Sequence, residues 1–250
     1  MKLLIEITPT RFKYARWVEG RLDSLETLIG GSSAAEPPWA SALARLAPTP
    51  RSVHVANGAG PVFRARLSEW IRRAWHVDPV FVEPPTESDG SLQIERYLAL
   101  VGAQAQGLLP SLVVTADATV GIDLLDRQGQ RVGAWTLPGE RPMHEALYAQ
   151  TSGVAAAALL DPAVVEGGFG VNTSGAVQSG SRMAIASCVA AIARRQPERV
   201  QVIATGRFAS EAVRQLMPEA RVIEDLALQG LAHLLTEARD RKSTRLNSSH

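Results

Sequence analysis

The feature that most constrains this chain is an order of segments that occurs twice. The chain opens with three strand-like runs, Lys2–Ile7, Arg11–Val18 and Arg21–Leu28, punctuated by Pro9 and Gly20. Apolar and alternating runs bounded by turn residues are the signature of strands packed against a core. A loop rich in Gly, Ser, Ala and Pro covers Gly30 to Pro38, and a short helix is expected from Trp39 to Leu46. Ser52–Ala56 reads as a buried strand. Beyond Asn57-Gly58-Ala59-Gly60-Pro61, the residues Phe63, Leu67, Trp70, Ile71 and Ala74 share one helical face, and Pro61 suits a first turn. Pro79–Val82 is a further strand.

The plan then repeats. Ser111–Thr115 is an apolar strand, and Thr119–Asp126 and Arg131–Leu137 form a hairpin across Asp126-Arg127-Gln128-Gly129. A helix follows Pro142, with Met143, Ala146 and Leu147 inward. A long helix is expected from Ser174 to Arg195, with Ala184, Cys188, Ala191 and Ile192 on one stripe and Thr173 as its simplest cap. Val200–Ala204 is a strand, Phe208–Leu216 a helix and Arg221–Ile223 a strand. Leu228, Leu231 and Leu235 line a final helix. The order β-β-β-α-β-α thus recurs in architecture without recurring in sequence. An α/β fold of two such halves is expected to bring two hairpin turns, Thr8-Pro9-Thr10 and Ala116-Asp117-Ala118, to a shared cleft. Turn N–H groups converging there suit anionic oxygen.

Composition narrows the function classes. Of 250 residues, 46% are hydrophobic and 20% charged, as in a globular protein with a sizeable core. The net charge of +1 and the lack of a Lys/Arg cluster argue against direct nucleic-acid binding. Cys188 is the single cysteine, so an intrachain disulfide and a Cys-based zinc site are excluded. No apolar run approaches the roughly 20 residues of a membrane span. Glu6 comes too early for a signal peptide, and a cytoplasmic protein is expected. The polar stretch Arg241 to His250 is read as a non-native tail outside the fold.

Ordered motifs carry a resemblance. Glu6-Ile7-Thr8-Pro9-Thr10-Arg11-Phe12-Lys13 is similar to the D-x-G-N-T/S-x-x-K opening of type III pantothenate kinases, the family in which a Bvg accessory factor has been placed. Glu95-Arg96-Tyr97-Leu98-Ala99-Leu100-Val101-Gly102-Ala103 resembles their D-R-W/F-x-A-L-x-G-A helix. Thr115-Ala116-Asp117-Ala118-Thr119-Val120-Gly121-Ile122-Asp123 lies in frame with their D-x-G-T-A-x-T-x-D hairpin. Leu137-Pro138-Gly139, Ala146-Leu147 with Thr151, Asn172-Thr173 with Ser179-Gly180, Thr205-Gly206, and Asp225-Leu226 with Gly230-Leu231 resemble further family elements. They stand in family order over most of the chain.

The resemblance implies a duplicated actin-like, ribonuclease H-like fold, with halves at 1–90 and 91–239 and a tail at 240–250. It implies phosphorylation of pantothenate by ATP in coenzyme A synthesis, a divalent metal (magnesium), a monovalent cation (potassium or ammonium) and a homodimer. Glu95 stands at the family's catalytic Asp and Glu6 at another carboxylate. Arg96 and Thr151 stand at substrate positions. Thr8, Thr10, Lys13, Asp117, Thr119, Thr205 and Gly206 fall at phosphate or nucleotide positions, and Glu6, Thr115 and Asp117 at cation positions.

Several positions depart from the family pattern. Thr8 adds a Cβ and Pro9 removes an N–H where phosphate approaches closely. Thr115 cannot supply the charge of an Asp. Asp117 replaces the Gly of a phosphate turn, and Ala118 its Thr; Asp117 is either a substitute carboxylate or an ordinary turn residue. By spacing alone, Thr10 and Lys13 are also a turn hydroxyl and a strand lysine, and Glu95 and Arg96 a solvated helix face. Three readings follow: a pantothenate kinase of weakened or lost activity, a non-catalytic regulatory or binding homologue, and an acetate- or sugar-kinase-like enzyme.

Overall fold

Strand β1 (Lys2–Ile7) is apolar on both faces because it lies at the centre of a sheet covered on both sides. It pairs antiparallel with β2 (Arg11–Val18) and parallel with β4 (Ser52–Asn57). β3 (Arg21–Ile29) and β5 (Val80–Val82) complete the order β3-β2-β1-β4-β5. The computed structural model describes residues 1–29, 38–85, 92–151, 161–165, 167–206 and 217–247, with side chains to residue 238. The loop expected at 30–38 is outside these residues except for Pro38, and so is the helix expected at 208–216.

One face of the first sheet presents Leu3, Ile5, Ile7, Phe12, Tyr14, Val53 and Val55. Helices α1 (Pro38–Ala44) and α2 (Pro61–Trp75) cover it with Trp39, Leu43, Phe63, Leu67 and Ile71. Phe12 stacks on Trp39 with centroids 5.7 Å apart. Each such buried side chain contributes about 1.5–3 kcal/mol. The other face presents Leu4, Ala15 and Ala56 to Ile94 and Leu98 of α3 (Ile94–Ala105) and to Leu228 and Leu231 of a C-terminal helix, Leu226–Asn247. Edge strand β3 is largely exposed and carries charge at Arg21, Asp23 and Glu26, which discourages pairing with another chain.

The second sheet has the same plan. β6 (Ser111–Ala116) is buried throughout. It pairs antiparallel with β7 (Thr119–Leu125) and parallel with β9 (Gln201–Thr205). With β8 (Arg131–Pro138) and β10 (Arg221–Val222) the order is β10-β9-β6-β7-β8, so each sheet places its first strand centrally between its second and fourth. Among the described residues two helices complete this unit, α4 (Glu140–Gln150) and α5 (Thr173–Arg194), and the C-terminal helix becomes α6. The compact units are Met1–Gly107 with Asp225–His250, and Leu108–Glu224. By packing, α3 and α6 therefore group with the first sheet. α6 runs on to Asn247, into the polar stretch set apart above.

Three sequence readings are corrected here. The buried stripe of α5 is Ile185, Val189 and Ile192, rotated by one residue from the Ala184 stripe, because the bulkier side chains give the larger burial against Leu112, Val114 and Ala204. Its cap is Asn172, whose side chain accepts from Gly175 N–H at 2.7 Å, and Thr173 is the first helical residue. Helix α4 begins at Glu140, ahead of Pro142, and leaves Ala146 and Leu147 exposed. Its buried residue is Glu140, which accepts from Arg182 Nε of α5 at 3.2 and 3.3 Å. Among the described residues α5 is long and apolar enough to cross a membrane by length and average composition. Its Ile185, Val189 and Ile192 belong to the second core.

His54 on β4 makes stability pH-dependent. Burial, and secondarily the charge of Lys2, lower its pKa from 6.5 to about 4. The unfolded chain therefore binds this proton below pH 6.5 while the folded chain refuses it until about 4. Stability contributed by neutral His54 is present above pH 6.5 and is lost as pH falls toward 4. His144, also lowered chiefly by burial, acts in the same direction. His54→Gln is expected to reduce the drop in melting temperature between pH 7 and pH 4.5, as read by thermal unfolding at both pH values.

Candidate functional site

In each unit, polar side chains gather at the end of the central strand. In the first unit, Glu6 is directly opposite Lys13 on β2, and the next pair on the same face is Thr8 and Arg11. Residues two apart share a sheet face, so Glu6, Thr8, Arg11 and Lys13 line the face opposite Ile7 and Phe12. All four are buried, at 7%, 4%, 8% and 5% exposure, which is unusual for three charged groups on one hairpin. Glu6 Oε2 has no hydrogen-bond partner among the described residues. Thr8 Oγ1 lies 3.4 Å from Thr10 Oγ1.

Glu95 reaches the same strand ends from α3. Gly58 follows β4, and its N–H donates to Ile7 O at 2.7 Å. A Cβ on Gly58 would lie 2.8 Å from Glu95 Oε2 and 3.1 Å from Ile7 O. The Glu95 carboxylate is thus at the end of β1, and not on a solvated face. Arg96 beside it is buried, at 7% exposure. The Asn57 side chain holds the loop between β4 and α2, donating to Gly60 O at 2.9 Å.

In the second unit Thr115 ends β6 and is in register with Thr205 on β9. Both are buried, and Thr115 Oγ1 has no hydrogen-bond partner among the described residues. Gly206 follows with φ +91°, where a Cβ would meet Ala116 O at 2.2 Å. Asp117 and Thr119 flank the β6–β7 turn, closed by Asp117 N–H to Thr119 O at 2.9 Å. Gly139 N–H donates to Ala118 O at 2.9 Å, so α4 starts at this turn. Thr151, at the other end of α4, is exposed and about 16 Å along the helix axis from that start. It does not join the strand-end group. Asp123 is fully buried in an ion pair with Arg131 Nε at 2.8 Å, a structural role.

Among the described residues no group of three His, Cys, Asp or Glu side chains could enclose a metal ion. Magnesium in phosphate chemistry needs one or two protein carboxylates, because phosphate and water supply the rest. The open Oε2 of Glu6 fits that requirement, and the neutral hydroxyl of Thr115 fits it poorly. Two residues at this site were not singled out from the sequence. Arg11 was passed over because an arginine on a strand is ordinarily exposed. Gly58 carries a local signal, because a Gly next to a strand end marks close approach.

Two sheets of identical order, each with polar residues at the end of its central strand, define the actin-like class of ATPases and sugar kinases. Solved structures agree on the fold. The activator of 2-hydroxyisocaproyl-CoA dehydratase from Clostridium difficile, with bound ADPNP, aligns at TM-score 0.57 and 13% identity, covering 97% of each chain. A conserved Campylobacter jejuni protein assigned to the Baf family of transcriptional activators aligns at TM-score 0.60 and 16% identity, covering 95% of this chain and 99% of that one. The profile of type III pantothenate kinase matches residues 2–195. The type III pantothenate kinase of Methylibium petroleiphilum is 32% identical over 256 aligned positions, covering 92% of this chain and 96% of its own. That of Halorhodospira halophila is 26% identical, covering 93% and 97%. The chain belongs to the type III pantothenate kinase family.

Gly58→Ala tests the placement of Glu95. The added methyl displaces the Glu95 carboxylate from the end of β1, and a shift near 1 Å costs on the order of 100-fold in rate. In a coupled ADP-release assay with pantothenate and ATP, the substrates the family resemblance implies, turnover by the variant is expected to be lower than that of the wild type by about that factor, with the melting temperature little changed. An unchanged rate would remove Glu95 from the site.

Proposed function

We propose that this protein phosphorylates pantothenate with ATP, the first step of coenzyme A synthesis, at a rate lowered by its altered second unit. The observation that carries the reading is Glu95, held beside Gly58 at the end of the strand that bears Glu6, with the buried Arg96 next to it in sequence. Glu95 takes the proton of the pantothenate hydroxyl as that oxygen bonds to the γ-phosphorus and the bond to the β-phosphate oxygen breaks, leaving ADP. Arg96 pairs with the pantothenate carboxylate through its planar fork of donors. Lys13 and the threonines Thr8, Thr10, Thr119 and Thr205 are donors for nucleotide phosphates, with Gly206 allowing close approach. Glu6 holds the magnesium carried by ATP, which when bound spreads the charge of the transferring phosphoryl group.

Thr115 supports the lowered rate. Its neutral oxygen replaces a carboxylate, so a cation there, divalent or monovalent, loses an anionic partner. Asp117 adds a negative charge beside a phosphate turn. A second reading, a non-catalytic regulatory or binding homologue, is favoured by Thr115, Thr8, Pro9 and Ala118. It predicts ligand binding without turnover.

Restoring the family residues separates the readings. Thr115→Asp with Asp117→Gly and Ala118→Thr is expected to raise kcat by roughly 10- to 100-fold. Binding of pantothenate and ATP to the wild type should be measurable by calorimetry. If neither the wild type nor the triple variant binds either ligand, the kinase reading fails.

We also infer a homodimer acting in the cytoplasm. α4 and α5 border a groove of about 660 Å³ lined by Pro142, Met143, Leu147, Val177 and Ala184, and Met183 beside it is half-exposed. Small residues on α5 allow a partner helix to come close. Light scattering at micromolar concentration is expected to give twice the chain mass, and Met183→Glu to halve it; a monomeric wild type would overturn the inference.

A further inference from the structure

We propose that the Glu140–Arg182 ion pair positions the β6–β7 turn, holding Thr119 where it meets a phosphate of the nucleotide. The proposal rests on the kinase reading above and deepens it: neither residue of the pair touches substrate, and both act through the turn. The turn rests on the start of α4. Gly139 N–H donates to Ala118 O at 2.9 Å, and a Cβ on Gly139 would lie 2.3 Å from Asp117 O and 2.8 Å from Ala118 O. The two backbones are in direct contact, with no side chain of Gly139 to absorb a shift. Pro138, one residue earlier, is in register with Thr119. A displacement of Gly139 therefore passes to residues 117–119.

The residue after Gly139 fixes its place. α4 has little apolar burial of its own: Glu140 is its buried residue, Met143 is half-buried against the second core, and Ala146 and Leu147 are exposed. Its seat on α5 falls instead to the Glu140 carboxylate, whose two oxygens both accept from Arg182 Nε. Glu140 Oε1 also lies 4.0 Å from His144 Nε2. Burial holds that imidazole below its usual pKa, outweighing the pull of Glu140, so at neutral pH the compensating charge comes from Arg182. A buried ion pair adds little net stability over apolar residues of the same size, whereas its directional partners can select one arrangement. Here the arrangement is the docking of the first turn of α4, one residue from its contact with Ala118.

Calorimetry on the full chain tests this with ATP and pantothenate as separate probes, together with thermal unfolding and light scattering. Glu140→Leu with Arg182→Met replaces the pair by apolar side chains, so the melting temperature is expected to stay the same or rise. This double variant is expected to bind ATP about tenfold more weakly, the weight of one phosphate hydrogen bond, and pantothenate as the wild type does. Arg182→Met alone leaves a buried carboxylate unpaired and should lose at least as much ATP affinity, with a lowered melting temperature. Arg182→Lys keeps the charge and should recover part of the loss. Thr119→Val should weaken ATP in the wild type and cost the double variant little more, because the two changes act on one contact. If the double variant binds ATP as the wild type does, or if the Thr119→Val loss adds to it in full, the positioning role is overturned and the kinase reading stands. Equal losses for ATP and pantothenate, or a loss accompanied by a fall in mass, would show a structural or subunit-contact role and overturn the proposal. A wild type that binds pantothenate and no ATP overturns the proposal with the nucleotide site, and one that binds neither overturns the kinase reading as well.

Discussion

The backbone contact between α3 and α6 holds the first half of the site in place. A Cβ on Gly230 would lie 1.9 Å from Leu98 O, and one on Gly102 would lie 2.4 Å from Leu226 O. Two glycines therefore let the helices touch along their main chains, closer than any pair of side chains permits. That closeness fixes the rotation of α3 about its own axis. With Gly102 against α6, Ile94 and Leu98 turn to the sheet, and Glu95 comes to Gly58. Successive helical residues differ by about 100° in direction, so a slip of one position would remove Glu95 from β1. An amide chain reinforces the register, with Gln106 Nε2 donating to Gln229 Oε1 at 2.7 Å and Gln229 Nε2 to Asp225 Oδ1 at 2.9 Å.

The two strand ends differ in electrostatic character despite the common sheet order. The first concentrates charge at Glu6, Arg11, Lys13 and Glu95. The second presents the neutral pair Thr115 and Thr205 with Asp117 at the turn. Buried charge is tolerated only where it is paired or where a ligand completes it, and Asp123–Arg131 and Glu140–Arg182 illustrate the paired case. The open oxygen of Glu6 belongs to the other. On the proposed reading, phosphate chemistry rests more heavily on the first unit than the even duplication of the fold suggests.

Strand and helix identities were legible in the sequence because they follow from local periodicity. Ile5 and Ile7 alternate with Leu4 and Glu6, Pro61 opens α2, and Phe63, Leu67 and Ile71 recur at helical spacing. The family motifs likewise marked Glu6, Glu95, Arg96, Thr115 and Thr205 by position. What these residues touch was not legible. The alanine-rich sequence of α5 fits more than one inward stripe, and only the facing Leu112 and Val114 select Ile185, Val189 and Ile192. Glu140 and Arg182 are 42 positions apart, and no local pattern announces that they bury one another.

By itself the sequence determined the doubled βββαβα order, the family and the types of group available for chemistry, since all three depend on residues close together or in linear order. Only the tertiary structure decided that Arg11 is buried, that Glu95 meets Gly58, that Thr151 lies a helix length from the turn at Ala118, and that Thr8 N–H is committed to Arg11 O. Burial and proximity depend on segments distant in the chain. α6 ends the sequence, and yet its glycine fixes the orientation of a glutamate at position 95, because the close approach of two backbones is a property of the packed pair and of neither segment alone.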